Sequence, residues 1–135
     1  MALQRLDHIN VCTTQLDRMK AFYSDVLGMP PGPRPNFSFN GAWMYCGSQP
    51  AVHLVERSQL EPTKGDLRLQ HFAFAAKDLA SFLARLKQLD IPYRVGIIDD
   101  FALCQINVHD PDGNHIHVDF PLAEAQQLGV ERTPK

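Results

Sequence analysis

The stretch LDHINV at residues 6–11 decides the fold, because a close copy, LQHFAF at residues 69–74, follows 63 residues later. The similarity continues beyond these stretches, since Leu16 aligns with Leu79 at the same offset. Similarity at a fixed offset is the signature of a duplicated structural unit. Each copy begins with an alternating run typical of a strand and continues with helical spacing of apolar residues. The chain is therefore predicted to contain two equivalent halves.

Each half is predicted to run as a strand, a helix and then about three strands. The first helix is predicted to begin at a capping box on Thr14 and to end at Gly28, and the second to begin at Asp78. A stiff Pro/Gly-rich loop occupies residues 30–36, a polar linker residues 57–66, and a short terminal helix residues 122–128. The pattern predicts an α+β fold with the helices on the apolar face of the strands.

The composition is that of an ordinary soluble globular protein. The 135 residues suffice for one domain, and 44% of them are hydrophobic. A formal net charge of −2 excludes a basic nucleic-acid binder. No apolar run reaches the roughly 18 residues of a membrane span, and no signal-peptide core is present, so we expect a cytoplasmic protein. The three cysteines lack C-x-x-C spacing and indicate neither disulfides nor a thiolate zinc site.

Four of the six histidines fall on equivalent positions of the repeat. His8 and His71 share a position in the first strand of each half, and His53 and His117 share one in the last strand. Two-fold symmetry between the halves is expected to bring the four rings together on one polar face. Neutral imidazoles that converge in this way bind divalent cations. The pattern predicts a metal site, with His53 as its weakest member.

Two further histidines and four strand residues have less specific patterns. His109 and His115 are interpreted as surface or hydrogen-bonded residues. Candidates for substrate binding share a strand face in pairs, and these are Trp43 with Tyr45 and Gln105 with Asn107. The alternative is core packing for the aromatic pair and a solvent-facing position for the amides.

These motifs resemble the vicinal oxygen chelate superfamily, which contains glyoxalase I, extradiol ring-cleaving dioxygenases and bleomycin-resistance proteins. The resemblance covers residues 5–121 and is carried by the two histidine-containing strands, FYSDVLGM at 22–29 and DPDG at 110–113. It implies one domain over residues 1–135 made of two βαβββ modules, about 5–57 and 67–121, which form a cup-shaped mixed sheet. It also implies a divalent metal (Fe, Mn, Ni or Zn), a small-molecule substrate and a homodimer.

The resemblance also assigns roles to individual residues. His8, His71 and His117 match the metal ligands, and His53 matches a fourth position that is a ligand in glyoxalase I but not in the ring-cleaving dioxygenases. The last-strand ligand is usually Glu in the family, so His117 is a departure, and Asp119 becomes a candidate for the catalytic carboxylate or for the ligand itself. Two functions remain open: a metal-dependent dioxygenase or lyase/isomerase that chelates two substrate oxygens, and a metal-free ligand-sequestering protein of the bleomycin-resistance type.

Overall fold

Each of the two predicted halves is built on a four-stranded mixed sheet. The computed structural model describes residues 1–65 and 67–135, and the chain divides into one unit of residues 1–64 and another of residues 65–135. The predicted α+β class with paired βαβββ modules is confirmed. The division falls inside the polar segment predicted to be a linker.

The first unit contains four strands and one helix that ends in a π-helical turn. Its elements are β1 (Ile9–Thr13), α1 (Leu16–Ala21), the π-helical turn Phe22–Val26, β2 (Pro31–Gly32), β3 (Gly41–Cys46) and β4 (Gln49–Glu56). The strand order is β1-β4-β3-β2, in which β1 runs parallel to β4 and the other pairs are antiparallel. The loop at residues 30–36 therefore contributes a short outer strand, which the sequence pattern did not predict.

The second unit repeats this topology and adds a terminal helix. Its elements are β5 (His71–Ala75), α2 (Leu79–Gln88), β6 (Arg94–Ile98), the 3-10 turn Asp99–Phe101, β7 (Leu103–His109), β8 (His115–Pro121) and α3 (Leu122–Leu128). The strand order β5-β8-β7-β6 matches that of the first unit position by position. Among the helices of the described residues, none has both the length and the apolar character needed to span a bilayer.

The two main helices begin in different ways. The Asp78 carboxylate caps α2 by accepting hydrogen bonds from the N–H and the hydroxyl of Ser81, at 3.2 and 2.7 Å. The predicted capping box on Thr14 is wrong, because Gln15 is the N-cap of α1. The buried hydroxyl of Thr13, at the end of β1, accepts the Gln15 N–H at 3.0 Å and so takes the place of a Thr14 cap.

Each unit buries one face of its sheet beneath its helices. In the first unit, Met19 and Tyr23 are fully buried with Leu54 of β4. In the second unit, the rings of Phe82 on α2 and Phe120 on β8 have centroids 5.5 Å apart. Burial of one such side chain contributes about 1.5–3 kcal/mol, so this face holds each unit together. The histidines lie on the opposite face of each sheet.

Candidate functional site

The strand register places His53 and His117 at equivalent positions in the two sheets. His53 lies beside Asn10 of the parallel strand β1, and His117 lies beside Ala73 of the parallel strand β5. The two histidines are only 9% and 8% exposed. Because strand neighbours alternate between faces, the next residue along the chain from each points into the apolar core. The backbone of each unit thus carries the predicted repeat.

In the first unit, three rings form a parallel stack. His8, which directly precedes β1, lies on His53 with centroids 3.9 Å apart and planes inclined by 9°, and His53 lies on Trp43 at 4.0 Å and 11°. An imidazole lone pair lies in the plane of its ring. Parallel planes do not meet, so in this arrangement His8 and His53 do not both aim a lone pair at one cation. The first unit therefore offers a single histidine ligand to a given ion.

Hydrogen bonds distinguish the two histidines of this stack. His8 Nδ1 lies 2.7 Å from a carboxylate oxygen of Asp7, and this hydrogen bond is the largest cause of the lowered pKa of Asp7. His8 thus donates from Nδ1 and keeps its lone pair on Nε2. His53 donates from Nε2 to the Pro50 carbonyl at 3.0 Å. Burial, and then the charge of His8, lower the pKa of His53, so its neutral form is favoured.

In the second unit, His71 and His117 are inclined to each other. Their centroids are 4.5 Å apart and their planes differ by 40°, an orientation in which both lone pairs can aim at one point. His117 donates from Nδ1 to an Asp119 carboxylate oxygen at 2.7 Å, and His71 donates from Nδ1 to the side-chain carbonyl of Gln70. Both rings therefore keep their lone pair on Nε2. An oxygen acceptor on the far nitrogen is the usual support for a metal-binding histidine.

Two more histidines adjoin this pair. His115 is half-buried, bonds from Nε2 to the Asn107 side-chain oxygen at 2.8 Å and lies 5.4 Å from His71, ring to ring. His109 stacks on His115 at 5.1 Å. Burial is the main cause of the lowered pKa of His115, and the three neighbouring histidines add to it. His115 is hydrogen-bonded as predicted. Its place beside His71 follows from its position two residues before His117, on the same strand face.

The donor chemistry of these residues fits a divalent cation. In their neutral form, His8, His71 and His117 are nitrogen donors, each with Nδ1 bonded to an oxygen and Nε2 left to ligate. Among the residues that the structure describes, however, no three His, Cys, Asp or Glu side chains form a group able to hold a metal. The fit therefore lies in the type of donor and in the His71 and His117 pair. It does not extend to a converged set of three.

The predicted substrate-binding residues of the first unit are both in contact with other groups. Trp43 lies directly opposite His53 and forms the end of the ring stack. The Tyr45 hydroxyl donates to the Pro33 carbonyl at 2.6 Å, so it ties β3 to the loop at residues 30–36. Trp43 thus lies on the histidine face, whereas the hydroxyl of Tyr45 already has a partner.

The predicted substrate-binding residues of the second unit lie on the histidine face of the sheet. Gln105 is directly opposite Asp119, and Asn107 is directly opposite His117. Both side chains are half-buried. This position supports a role in the site and excludes the alternative of fully solvent-facing amides.

A cavity of about 640 Å³ lies in the second unit beside His115. Its walls include β6 and the C-terminal residues Arg132, Thr133 and Lys135. The sequence pattern did not predict these residues as part of a site, because they follow the last repeated strand. The basic residues near the C-terminus were the one feature of the sequence that could have pointed to this cavity wall.

Comparison with known proteins identifies relatives of the whole chain. Residues 5–118 match the model of the Glyoxalase/Bleomycin resistance protein/Dioxygenase superfamily. Comparison with curated protein sequences gave no match. Among solved structures, a glyoxalase family protein from Bacillus anthracis is 25% identical with a TM-score of 0.73, over 90% of this chain and 98% of that one.

Two further solved structures share the fold. Lactoylglutathione lyase from Agrobacterium tumefaciens is 23% identical with a TM-score of 0.67, over 89% of this chain and 96% of that one. Trypanothione-dependent glyoxalase I from Leishmania major is 22% identical with a TM-score of 0.63, over 96% of this chain and 100% of that one. The two modules described above are thus the architecture of a known group of proteins.

Proposed function

Because this chain belongs to the Glyoxalase/Bleomycin resistance protein/Dioxygenase superfamily, we propose that it is a divalent-metal-dependent enzyme that chelates two oxygens of a small substrate. The observation that carries this proposal is the common hydrogen-bonding state of His8, His71 and His117. Each holds its proton on Nδ1 against an oxygen and presents Nε2. This arrangement is usual for metal-binding histidines, because the hydrogen bond on Nδ1 fixes the ring and leaves Nε2 to ligate.

The proposed metal ligands are His71 and His117, which are inclined to each other in the second unit, and His8, which the resemblance to the superfamily matches to a ligand position. Imidazole nitrogen suits Zn, Ni and Fe alike, so the metal is proposed only as one of the divalent ions Fe, Mn, Ni or Zn. When bound, such an ion supplies Lewis acidity to chelated substrate oxygens. His53 is not assigned as a ligand, because its ring is parallel to His8 and its Nε2 is bonded to Pro50.

Asp119 is proposed as a positioning residue. Its carboxylate accepts the Nδ1 proton of His117, which fixes the tautomer and the orientation of that ring. A carboxylate used in this way does not complete the 2-His-1-carboxylate centre of non-haem iron oxygenases. The arrangement therefore favours lyase or isomerase chemistry over ring cleavage. Trp43 of the first unit and Gln105 and Asn107 of the second are each proposed as substrate contacts. Tyr45 supports Trp43 by tying strand β3 to the loop at residues 30–36.

The test is a metal titration of untagged protein after removal of metals with a chelator. We expect about one ion per chain for at least one of Mn, Fe(II), Ni and Zn. The His117→Ala variant should lose this binding, whereas His109→Ala, a matched change on an exposed ring of the same unit, should keep it. The proposal would be overturned if none of the four ions bound stoichiometrically.

A second candidate function is metal-free sequestration of an aromatic ligand, and the ring stack of the first unit favours it. Phe37 and Phe39 stack on each other at 4.9 Å and are 42% and 41% exposed, and the Phe37 ring lies 6.5 Å from Trp43. Flat aromatic molecules bind such surfaces by stacking. Trp43 is the single tryptophan of the chain, so its fluorescence reports this region directly. Quenching by a flat aromatic ligand in protein that cannot be loaded with metal would support sequestration over catalysis.

A homodimer is proposed as well, since the chain shares its superfamily with proteins for which this assembly is common. Sedimentation equilibrium should then give twice the chain mass. A species of 15.2 kDa throughout the micromolar range would contradict the dimer.

A further inference from the structure

We propose that the cavity of the second unit binds a small organic anion, either a carboxylate or a phosphate monoester with an apolar body. The inference names a substrate class for the enzyme proposed above and in that sense rests on the proposed function. The binding itself depends only on residues of the second unit. It can therefore be tested without any metal.

The charged side chains in the cavity wall are cationic. They are Arg94, Arg132 and Lys135, and His109 and His115 lie in the same wall. None of the described residues that line the cavity is acidic. Asp99 lies 3.9 Å from Arg132, but both side chains are largely exposed, so this ion pair is weak and neutralises little of the charge. The wall therefore favours an anion.

Each of the two guanidinium groups is held by a hydrogen bond to the backbone and keeps further N–H donors for a ligand. Arg94 donates from one Nη to the Pro134 carbonyl, and Arg132 donates from one Nη to the Ile97 carbonyl at 3.0 Å. A guanidinium has five N–H donors, so these single bonds leave several for a ligand. Planar guanidinium groups bind carboxylate and phosphate through paired hydrogen bonds.

The C-terminal segment is fixed against β6. The Thr133 N–H donates to the Val95 carbonyl at 3.0 Å, and the Val95 N–H donates to the Thr133 hydroxyl at 2.8 Å. This two-way contact holds Arg132 on the wall formed by β6. Because this segment is already ordered, ligand binding costs less conformational entropy than it would if the segment were a free tail.

The rest of the cavity suits the apolar body of the ligand. Pro92, Tyr93 and Ile97 contribute apolar surface, and Gly96 lies on the wall without a side chain. A Cβ atom at Gly96 would lie 3.5 Å from the Gln105 side-chain oxygen, which is ordinary contact. A larger side chain at this position is therefore expected to fill the cavity rather than disturb the sheet.

The cavity adjoins the proposed metal ligands within the same unit. His115 lines it and lies 5.4 Å from His71 and 6.1 Å from His117, ring to ring. A ligand that fills the cavity therefore reaches His115, whose ring neighbours both proposed metal ligands of this unit. This geometry gives the anion site a role in selecting the substrate.

The experiment measures ligand binding by titration calorimetry on the full chain after metals have been removed with a chelator. The probes are benzoate, phenyl phosphate and the neutral benzamide. We expect one or both anions to bind at least about tenfold more tightly than benzamide, as loss of a charge-assisted hydrogen bond predicts. Preference between benzoate and phenyl phosphate identifies the anionic group. Equal affinity for benzamide, or no anion binding, would overturn the inference.

Variants locate the binding. The double variant Arg94→Gln/Arg132→Gln should weaken anion binding at least about tenfold, whereas Arg57→Gln, an exposed arginine of the first unit, should leave it unchanged. If the double variant is misfolded by circular dichroism, Gly96→Leu tests the same cavity without removing charge and should also cost at least tenfold. Unchanged affinity in the folded variants would overturn the inference.

The two proposals fail separately. Tight anion binding by a chain that takes up no metal would remove the proposed enzyme and keep the cavity assignment. Stoichiometric metal binding without anion binding would remove the cavity assignment and keep the proposed enzyme.

Discussion

The two units place a histidine at the same point of the same topology, yet they surround it differently. The residue directly opposite His53 on the neighbouring strand is Trp43, and the residue directly opposite His117 is Asn107. In the first unit the result is a flat stack with the tryptophan ring. In the second unit the ring has a small polar neighbour, and it is inclined to His71 by 40°.

The next residue on the same strand face also differs. Two positions after His53 the chain has Val55, and two positions after His117 it has Asp119. His53 therefore donates to a backbone carbonyl from Nε2, whereas His117 donates to a carboxylate from Nδ1. The comparison teaches that the backbone repeat sets where a histidine lies, and that its cross-strand and same-face neighbours set which nitrogen is left to ligate.

The largest expected effect is a difference in metal affinity between a histidine variant of the second unit and one of the first. His71→Ala should lower the affinity for the preferred divalent ion by at least about 100-fold, since loss of a ligand costs more than loss of its hydrogen-bond partner. His53→Ala, a change of the same kind at a first-unit histidine that is not a proposed ligand, should have little effect because His53 is not aimed at the same point as His8. Calorimetric titration of chelator-treated protein measures both. Equal losses of metal affinity in the two variants would contradict the proposed difference between the two histidines.

The second prediction introduces the carboxylate that the family resemblance implies for the last strand. His117→Glu should keep metal binding but shift the ratio of Mn to Zn affinity toward Mn by about tenfold, because carboxylate oxygen suits the harder ion. His109→Glu adds the same charge to an exposed position and serves as the control. Competitive metal titration gives the ratio. A ratio that moves equally in both variants would mean that charge alone, not ligation, is responsible.

The third prediction concerns the carboxylate behind His117. Asp119→Asn should retain metal at saturating concentrations, lower its affinity about tenfold and alter the turnover of any substrate, because the His117 tautomer is no longer fixed by an anion. Asp99→Asn, an exposed carboxylate of the same unit, is the control. Complete loss of metal in Asp119→Asn with full retention in His117→Ala would show that Asp119 is the ligand.

The smallest expected effect is on stability as the pH falls. Burial lowers the pKa of His53 and of His115, so the unfolded chain, with a value near 6.5, binds protons more readily than the folded chain. The free energy of unfolding of metal-free protein should therefore decrease from pH 7 to pH 5. His53→Gln and His115→Gln should each flatten this decrease in urea titrations, with His109→Gln as the control. Parallel profiles for all variants would contradict the argument.

Most strands and helices were predictable because their signals are local. The alternation and turn residues predicted the order of strand, helix and further strands in each half, and Asp78 and Gly28 marked the limits of helices correctly. The start of α1 was not predictable, because the decisive hydroxyl belongs to Thr13 in the preceding strand. The strand β2 was missed because a proline loop of two paired residues has no periodicity.

The candidate site was predictable in its residues but not in its orientations. The repeat alone identified the equivalent pairs formed by His8 with His71 and by His53 with His117. Ring angles depend on neighbours from other strands, and no sequence pattern reports them. The cavity beside His115 depends on a C-terminal segment outside the repeat, which pairs with β6 only in the folded unit.

The contact between Thr133 and Val95 has a consequence for solubility. An outer strand with unpaired N–H and C=O groups invites a strand of another molecule and promotes aggregation. Val95, in the outer strand β6, has both backbone groups bonded to Thr133. In the first sheet, the outer strand β2 is two residues long, and its Pro31 has no N–H to donate. A proline protects one sheet and a threonine the other, so removal of the residues around Thr133 is expected to expose β6 to fibril-like association.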